Sequence, residues 1–114
     1  MSLALTRDEI GAIALGLPAT SKVVQWGGSD VYKVGGKVFA MCGDIYVAFK
    51  VTDIGFVVLT EDGPGRQAPY CAKGQWVAVD LDRLDPNEAQ GWISTAHALI
   101  AAKLAKKVRA ELGL

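Results

Sequence analysis

The sequence predicts a compact domain in which helices accompany an antiparallel, hairpin-built sheet. Three observations carry this. The stretch from Val31 to Val51 is three strand-like runs joined by two-residue turns that begin with glycine. Thr6-Arg7-Asp8-Glu9 is a helix-start signature near the beginning, and after Asp85-Pro86 an apolar stripe recurs at three- and four-residue steps. At 114 residues the chain forms one domain, able to bury roughly two-thirds of its unfolded surface without metal or disulfide staples.

The first helix begins at a capping box, in which Thr6 satisfies a free backbone N–H and Glu9 reaches back to the cap. Leu5 and Ile10 flank it as a hydrophobic staple. Ile10, Ile13, Ala14 and Leu17 keep helical spacing until Gly16 and Pro18 end the run. A strand over Lys22–Trp26 and a turn at Gly27-Gly28-Ser29-Asp30 follow. Gly35-Gly36 then joins two β-prone runs through positive φ, which glycine reaches without a Cβ clash. Gly43-Asp44 supplies the next hairpin turn.

Taken as two-residue loops, these turns set Val34 opposite Lys37, Tyr32 opposite Phe39, Met41 opposite Tyr46 and Lys37 opposite Lys50. Opposed residues share a face and side chains alternate along a strand. Val31, Val38, Ala40, Cys42, Ile45, Val47, Phe49 and Val51 then make a core face that includes Lys33. Tyr32, Val34, Lys37, Phe39, Met41, Tyr46, Ala48 and Lys50 make a second, mixed face. A single bulge would reassign both, because a one-residue slip flips every side chain.

Thr52-Asp53 caps a short helix through Phe56, Val57, Val58 and Leu59, although Phe-Val-Val by itself prefers a strand. Gly63-Pro64-Gly65 stops that element. Ala68–Cys71 and Gln75–Leu81 form a candidate hairpin across Lys73-Gly74. The last helix starts with Asp85 as N-cap, proline in the first position and Glu88 at the third. Its stripe of Ala89, Trp92, Ile93, Ala96, Leu99, Ile100, Leu104 and Val108 runs without interruption toward Gly113.

Net charge is zero, with 12 basic and 12 acidic residues, which argues against strong nonspecific nucleic-acid binding. The distribution is uneven: Lys103, Lys106, Lys107 and Arg109 face only Glu111 in residues 93–114. That tail suits either ligand orientation or a solvated helix end, where cations meet the negative pole of the dipole. Cys42 and Cys71 lack metal-ligand spacing and read as reduced, in a cytoplasmic setting. No apolar run reaches the about 18 residues of a membrane span, and no secretory signal is expected. Repeats and low-complexity segments are lacking.

Catalytic signals are thin. His97, the sole histidine, flanks the apolar stripe and reads as structural. No serine or cysteine sits in a nucleophile motif. Lys-Val-Gly-Gly-Lys has neither the spacing nor the following helix of a phosphate loop. Asp80, Asp82 and Asp85 lack the glycine and distal glutamate of a calcium loop, and Trp26, Trp76 and Trp92 read as mostly core. No cofactor or metal is expected.

Leu17-Pro18, Trp26-Gly27, the run Tyr32–Ala40, Val47-Ala48-Phe49-Lys50, Ala68-Pro69-Tyr70, Trp76-Val77 and Ala102-Lys103-Leu104 together resemble the MmcQ/YjbR family of small bacterial proteins. These marks span nearly the whole chain in order. Ala96-His97 departs from the Ser-Tyr pair many members carry. The resemblance implies a two-layer α+β sandwich of CyaY-like (frataxin-like) fold, ordered helix, three strands, helix, two strands, helix. It favours a helix near Ile54–Thr60. Members are commonly described as DNA-binding. Frataxin-like iron binding would need an acidic ridge on the first helix, and Asp8 with Glu9 does not make one.

The expectation is a noncatalytic nucleic-acid-binding module that uses the mixed face. Tyr32, Phe39 and Tyr46 would stack on bases while Lys33, Lys37 and Lys50 contact phosphates. Lys37 opposite Lys50 costs on the order of 0.2–1 kcal/mol, relieved either by an anion between them or by splaying into water. This nucleic-acid reading of the mixed face requires Tyr32, Phe39 and Tyr46 to be exposed, and fails at once if they are buried under a helix. The same face suits the alternative of a protein partner or a homodimer; a membrane is not expected as a partner.

Overall fold

The computed structural model describes residues 5–25 and 27–114. Trp26, read above as a strand end and core residue, lies outside the described residues. Helix α1 (Arg7–Leu15) carries the predicted capping box: the Glu9 N–H donates to Thr6 Oγ1 at 3.1 Å, and the Thr6 N–H donates to Glu9 Oε1 at 3.0 Å. Four antiparallel strands follow: β1 (Thr20–Gln25), β2 (Ser29–Val34), β3 (Lys37–Cys42) and β4 (Tyr46–Lys50). Helix α2 (Asp53–Glu61) starts where the Gly55 N–H donates to Thr52 Oγ1 at 3.0 Å, so the cap overrides the β preference of Phe-Val-Val. Strands β5 (Gly65–Gln67) and β6 (Trp76–Asp80), helix α3 (Pro86–Ala101) and helix α4 (Lys106–Leu112) complete the chain.

The six strands form one sheet in the order β1-β2-β3-β4-β6-β5, antiparallel throughout. Ile10 and Ala14 of α1, Leu59 of α2, and Ile93, Ala96 and Ile100 of α3 share one buried cluster with Tyr32, Phe39, Phe49, Val77 and Val79. Helices therefore cover one sheet face, giving a two-layer α+β sandwich. The strand beyond the three implied before α2 is β1, at the sheet edge. On the opposite face a small cluster of Ala48, Ala68 and Ala78 is bordered by Met41, Tyr46, Cys71 and Trp76.

Register is where the structure departs most from expectation. Lys33 pairs with Val38 but Tyr32 pairs with Ala40, so Phe39 is an extra residue in β3. This bulge inverts β2 relative to the rest of β3. Tyr32 and Val34 move to the helix side, while Val31 and Lys33 leave it. Burying each large ring gains about 1.5–3 kcal/mol, enough to offset a locally broken ladder. Gly11 makes room for one of them: a Cβ there would lie 2.8 Å from the Tyr32 hydroxyl.

The second turn also shifts. The Gly43 N–H donates to the Tyr46 carbonyl at 3.1 Å, so the loop is Asp44-Ile45 and Met41 pairs with Ala48 rather than Tyr46. Ile45 leaves the core for an exposed turn. The expected strand over Ala68–Cys71 is a loop instead. The Gln67 amide holds it by donating to the Ala68 and Cys71 carbonyls and accepting from the Gly74 N–H. A side chain there replaces the ladder that the sequence pattern suggested.

The final helix is not continuous. It breaks after Ala101, where Lys103 and Leu104 N–H groups donate to the Ile100 and Ala101 carbonyls in a tight turn. Leu104 is buried, and the chain folds α4 over the β2–β3 turn. Gly35, with φ 57°, is the contact point: a Cβ there would meet Leu104 at 2.6 Å and Leu112 at 3.2 Å. Gly36, with φ 81°, faces open space.

This contrast predicts unequal costs for alanine. At either glycine the left-handed backbone costs about 1–2 kcal/mol. Overpacking against Leu104 adds roughly 1–3 kcal/mol at Gly35. Urea unfolding of Gly35→Ala and Gly36→Ala should show the first as clearly the less stable; equal losses would contradict the packing of α4 on this turn.

Candidate functional site

The three rings expected to stack are not on one surface. Tyr32 is 1% exposed and Phe39 0% exposed, both on the helix side of the sheet. Phe39 meets the His97 ring edge-on at 5.3 Å between centroids. Burial pushes the Tyr32 phenol up to about 12. Tyr46 alone stays on the open face, half-buried, with the Arg66 guanidinium 5.2 Å above its ring. The bulge at Phe39 is the physical reason, since it turns both buried rings away from Tyr46. The condition on which the nucleic-acid reading of the mixed face rested is not met, and that face is not the binding surface expected.

The lysines are redistributed too. Lys33 sits half-buried on the open face beside Val38. Lys37 is exposed beside the glycine turn. Lys50 is buried, and its ammonium donates to Gln75 Oε1 at 2.9 Å. The shifted β3–β4 register means that Lys37 and Lys50 are not opposed. Burial lowers the Lys50 pKa, nearby Lys103 lowers it further, and Asp53 acts the other way. Lys50 is therefore a satisfied interior cation close to the α3 C-terminus, not a free phosphate contact.

What the fold does bring together is cationic. The contact of Gly35 with Leu104 and Leu112 sets the β2–β3 turn against α4. Lys37 of the turn thus shares one end of the molecule with Lys103, Lys106, Lys107 and Arg109. Lys37, Lys103, Lys106 and Lys107 are exposed. Among the described residues the ion pairs are Arg7–Asp30, Arg7–Asp44 and Arg66–Asp80, and none involves a lysine. The excess of tail cations was visible in the sequence. Their apposition to Lys37 depends on the helix break, which no proline or glycine signals.

Arg7 and His97 are engaged within the fold. The Arg7 guanidinium binds Asp30 and Asp44, each at 2.9 Å, and also the Gly28 carbonyl. It lines a depression of about 280 Å³ with Met41, Tyr46 and Asp44, but its charge is already neutralised. His97 Nε2 lies 2.8 Å from the Pro18 carbonyl and donates to it, fastening α3 to the segment after α1. Cys42 and Cys71 are free thiols, and burial pushes Cys42 up to about 12 and raises Cys71. Among the described residues, no group of three or more acids, histidines and cysteines is placed to hold a metal, and no helix is long and apolar enough to cross a membrane.

Arg7 gives the fold a pH signature. Its hydrogen bond holds the Asp30 carboxyl below the usual 3.8. A depressed carboxylate contributes stability above its unfolded pKa, and loses it as pH falls through the folded one. The melting temperature of the native protein should therefore drop below pH about 4. Asp30→Asn should start less stable at neutral pH and show a shallower acid decline. An identical acid slope in both proteins would contradict this role for the pair.

Comparisons with known proteins agree with this architecture. A model of the YjbR family matches residues 15–99. The crystal structure of Deinococcus radiodurans protein DR2400, described with a DUF419 domain, is similar at a TM-score of 0.86 with 22% identity. The match covers 96% of this chain and 88% of that one. At such identity it shows a shared fold. Among curated proteins no match is found. With the family model covering most of the helix, sheet and helix framework described above, the chain belongs to the YjbR family.

Proposed function

We propose that this protein is a noncatalytic DNA-binding module that grips the phosphate backbone with its basic end rather than stacking bases on its sheet. The observation that carries this is the packing of α4 on the Gly35-Gly36 turn. It gathers Lys37, Lys103, Lys106 and Lys107, all exposed and without ion-pair partners among the described residues. Like charges held together by the fold repel one another, and a polyanion relieves that repulsion while releasing its own counterions. The reading also agrees with how family members are commonly described.

A noncatalytic role is supported by the state of the reactive side chains. His97 is engaged with Pro18 and Phe39, and the Cys42 thiol is inert at neutral pH. Two free thiols suit a reducing cytoplasm. The protein-partner alternative is less favoured on this face, where Tyr46 lies under Arg66 and Ala68 packs with Ala48 and Ala78.

With zero net charge, affinity should be modest and strongly salt-dependent. Fluorescence anisotropy of a labelled duplex at two salt concentrations tests this. Replacing Lys103, Lys106 and Lys107 by alanine should lower affinity and flatten the salt dependence by about 0.9 in logarithmic slope per lost phosphate contact. Thermal stability should hold, since the three side chains are exposed. Unchanged binding by this variant, or binding insensitive to salt, would overturn the assignment.

A further inference from the structure

Helix α2 is anomalous for a surface helix. Residues 54–59, Ile-Gly-Phe-Val-Val-Leu, contain no polar side chain, yet only Leu59 of the helix is buried. A helix apolar all round belongs in an interior. Here Ile54 is 78% exposed, Val57 49% and Val58 53%. Their i, i+3 and i+4 spacing joins them into one ridge. Helix propensity does not account for them, because β-branched residues and glycine are poor helix formers. Nor does the core, which takes only Leu59 and part of Phe56 from this element.

The ridge borders a groove of about 320 Å³ between α2 and α3. Phe49 and Trp92 line it, with rings stacked at 5.7 Å and 12°. That volume is at the small end of the range for ligand pockets, ~300–1,000 Å³, and suits a single large apolar side chain. The ends of the ridge are acidic. Asp53 precedes it, Glu61 and Asp62 follow, all three are exposed, and none forms an ion pair among the described residues. Glu61 and Asp62 sit at the helix C-terminus, where the dipole disfavours acids. A cation from outside would reverse that penalty.

We propose that this groove docks an amphipathic helix of a partner protein, seating one large apolar anchor and placing basic residues over Asp53, Glu61 and Asp62. Apolar stripe, pocket and rim charge are the three elements by which helix-in-groove recognition operates. A second copy docking α2 on α2 is disfavoured, because both ends of the helix carry acids. Lys50 also lines the groove and lies near Lys103, so the two sites adjoin. Ile54, Val58, Glu61 and Asp62 take no part in the proposed DNA contact, however, and their substitution tests the groove alone.

Two synthetic peptides decide it. Both carry the same leucine stripe around a central phenylalanine at i, i+3, i+4 and i+7 spacing; one is flanked by lysines and its twin by glutamates. Each is titrated into the isotope-labelled full chain and followed by amide chemical shifts. The lysine-flanked peptide should bind, with shifts confined to residues 52–62 and to Trp92 and its neighbours. Val58→Asp should weaken it at least about tenfold while leaving DNA affinity and the other shifts unchanged. The double variant Glu61→Lys with Asp62→Lys should transfer the preference to the glutamate-flanked twin. Equal binding of the two peptides, shifts centred elsewhere, or no binding at millimolar peptide would overturn the proposal.

Discussion

Between the Lys33–Val38 and Tyr32–Ala40 pairs, β3 accommodates Phe39 as one extra residue, and both large rings of the hairpin turn toward the helices. Much of the architecture follows from this bulge. Tyr32 lies against α1, where Gly11 allows the approach. Phe39 lies against His97 of α3, and His97 in turn is bound to Pro18. One irregularity thus couples the middle of the sheet to both helices that cover it. A flat register would have left two aromatic rings on the open face and the helix layer short of its largest side chains.

The same event decides where binding chemistry can reside. An open sheet face with three rings would favour base stacking; this face offers Tyr46 beneath Arg66, small alanines and a covering loop. Charge is left at the end of the molecule, where the glycine turn meets α4. Apolar surface is left on α2. The first suits a polyanion and the second a protein helix, and they occupy different elements. A small module carrying both would link a nucleic acid to a protein partner without any chemistry of its own.

Local signals in the sequence were legible wherever the determinant was local. The Thr6 capping box, the Thr52 cap, the Asp85-Pro86 start and the Gly35-Gly36 turn all appear where their residues dictate. The helix at α2 was ambiguous by propensity and was decided by its cap. Register was not legible. Gly43-Asp44 looks like a turn, but shifting the loop to Asp44-Ile45 pairs Met41 with Ala48, and nothing local distinguishes the two. The bulge is rewarded only by burial against helices distant in sequence. The break after Ala101 likewise has no breaker residue; it is stabilised by Leu104 reaching Gly35. For the candidate site this meant that Lys37 and the basic tail were each visible, while their meeting was not.

The most direct test of the account is to map a short DNA duplex onto the labelled protein at low salt by amide chemical shifts. Perturbations are expected at Gly35, Gly36 and Lys37 and across Lys103–Arg109, with Met41, Tyr46 and Trp76 unmoved. Perturbations centred on the open sheet face instead, around Met41, Tyr46 and Trp76, would contradict it.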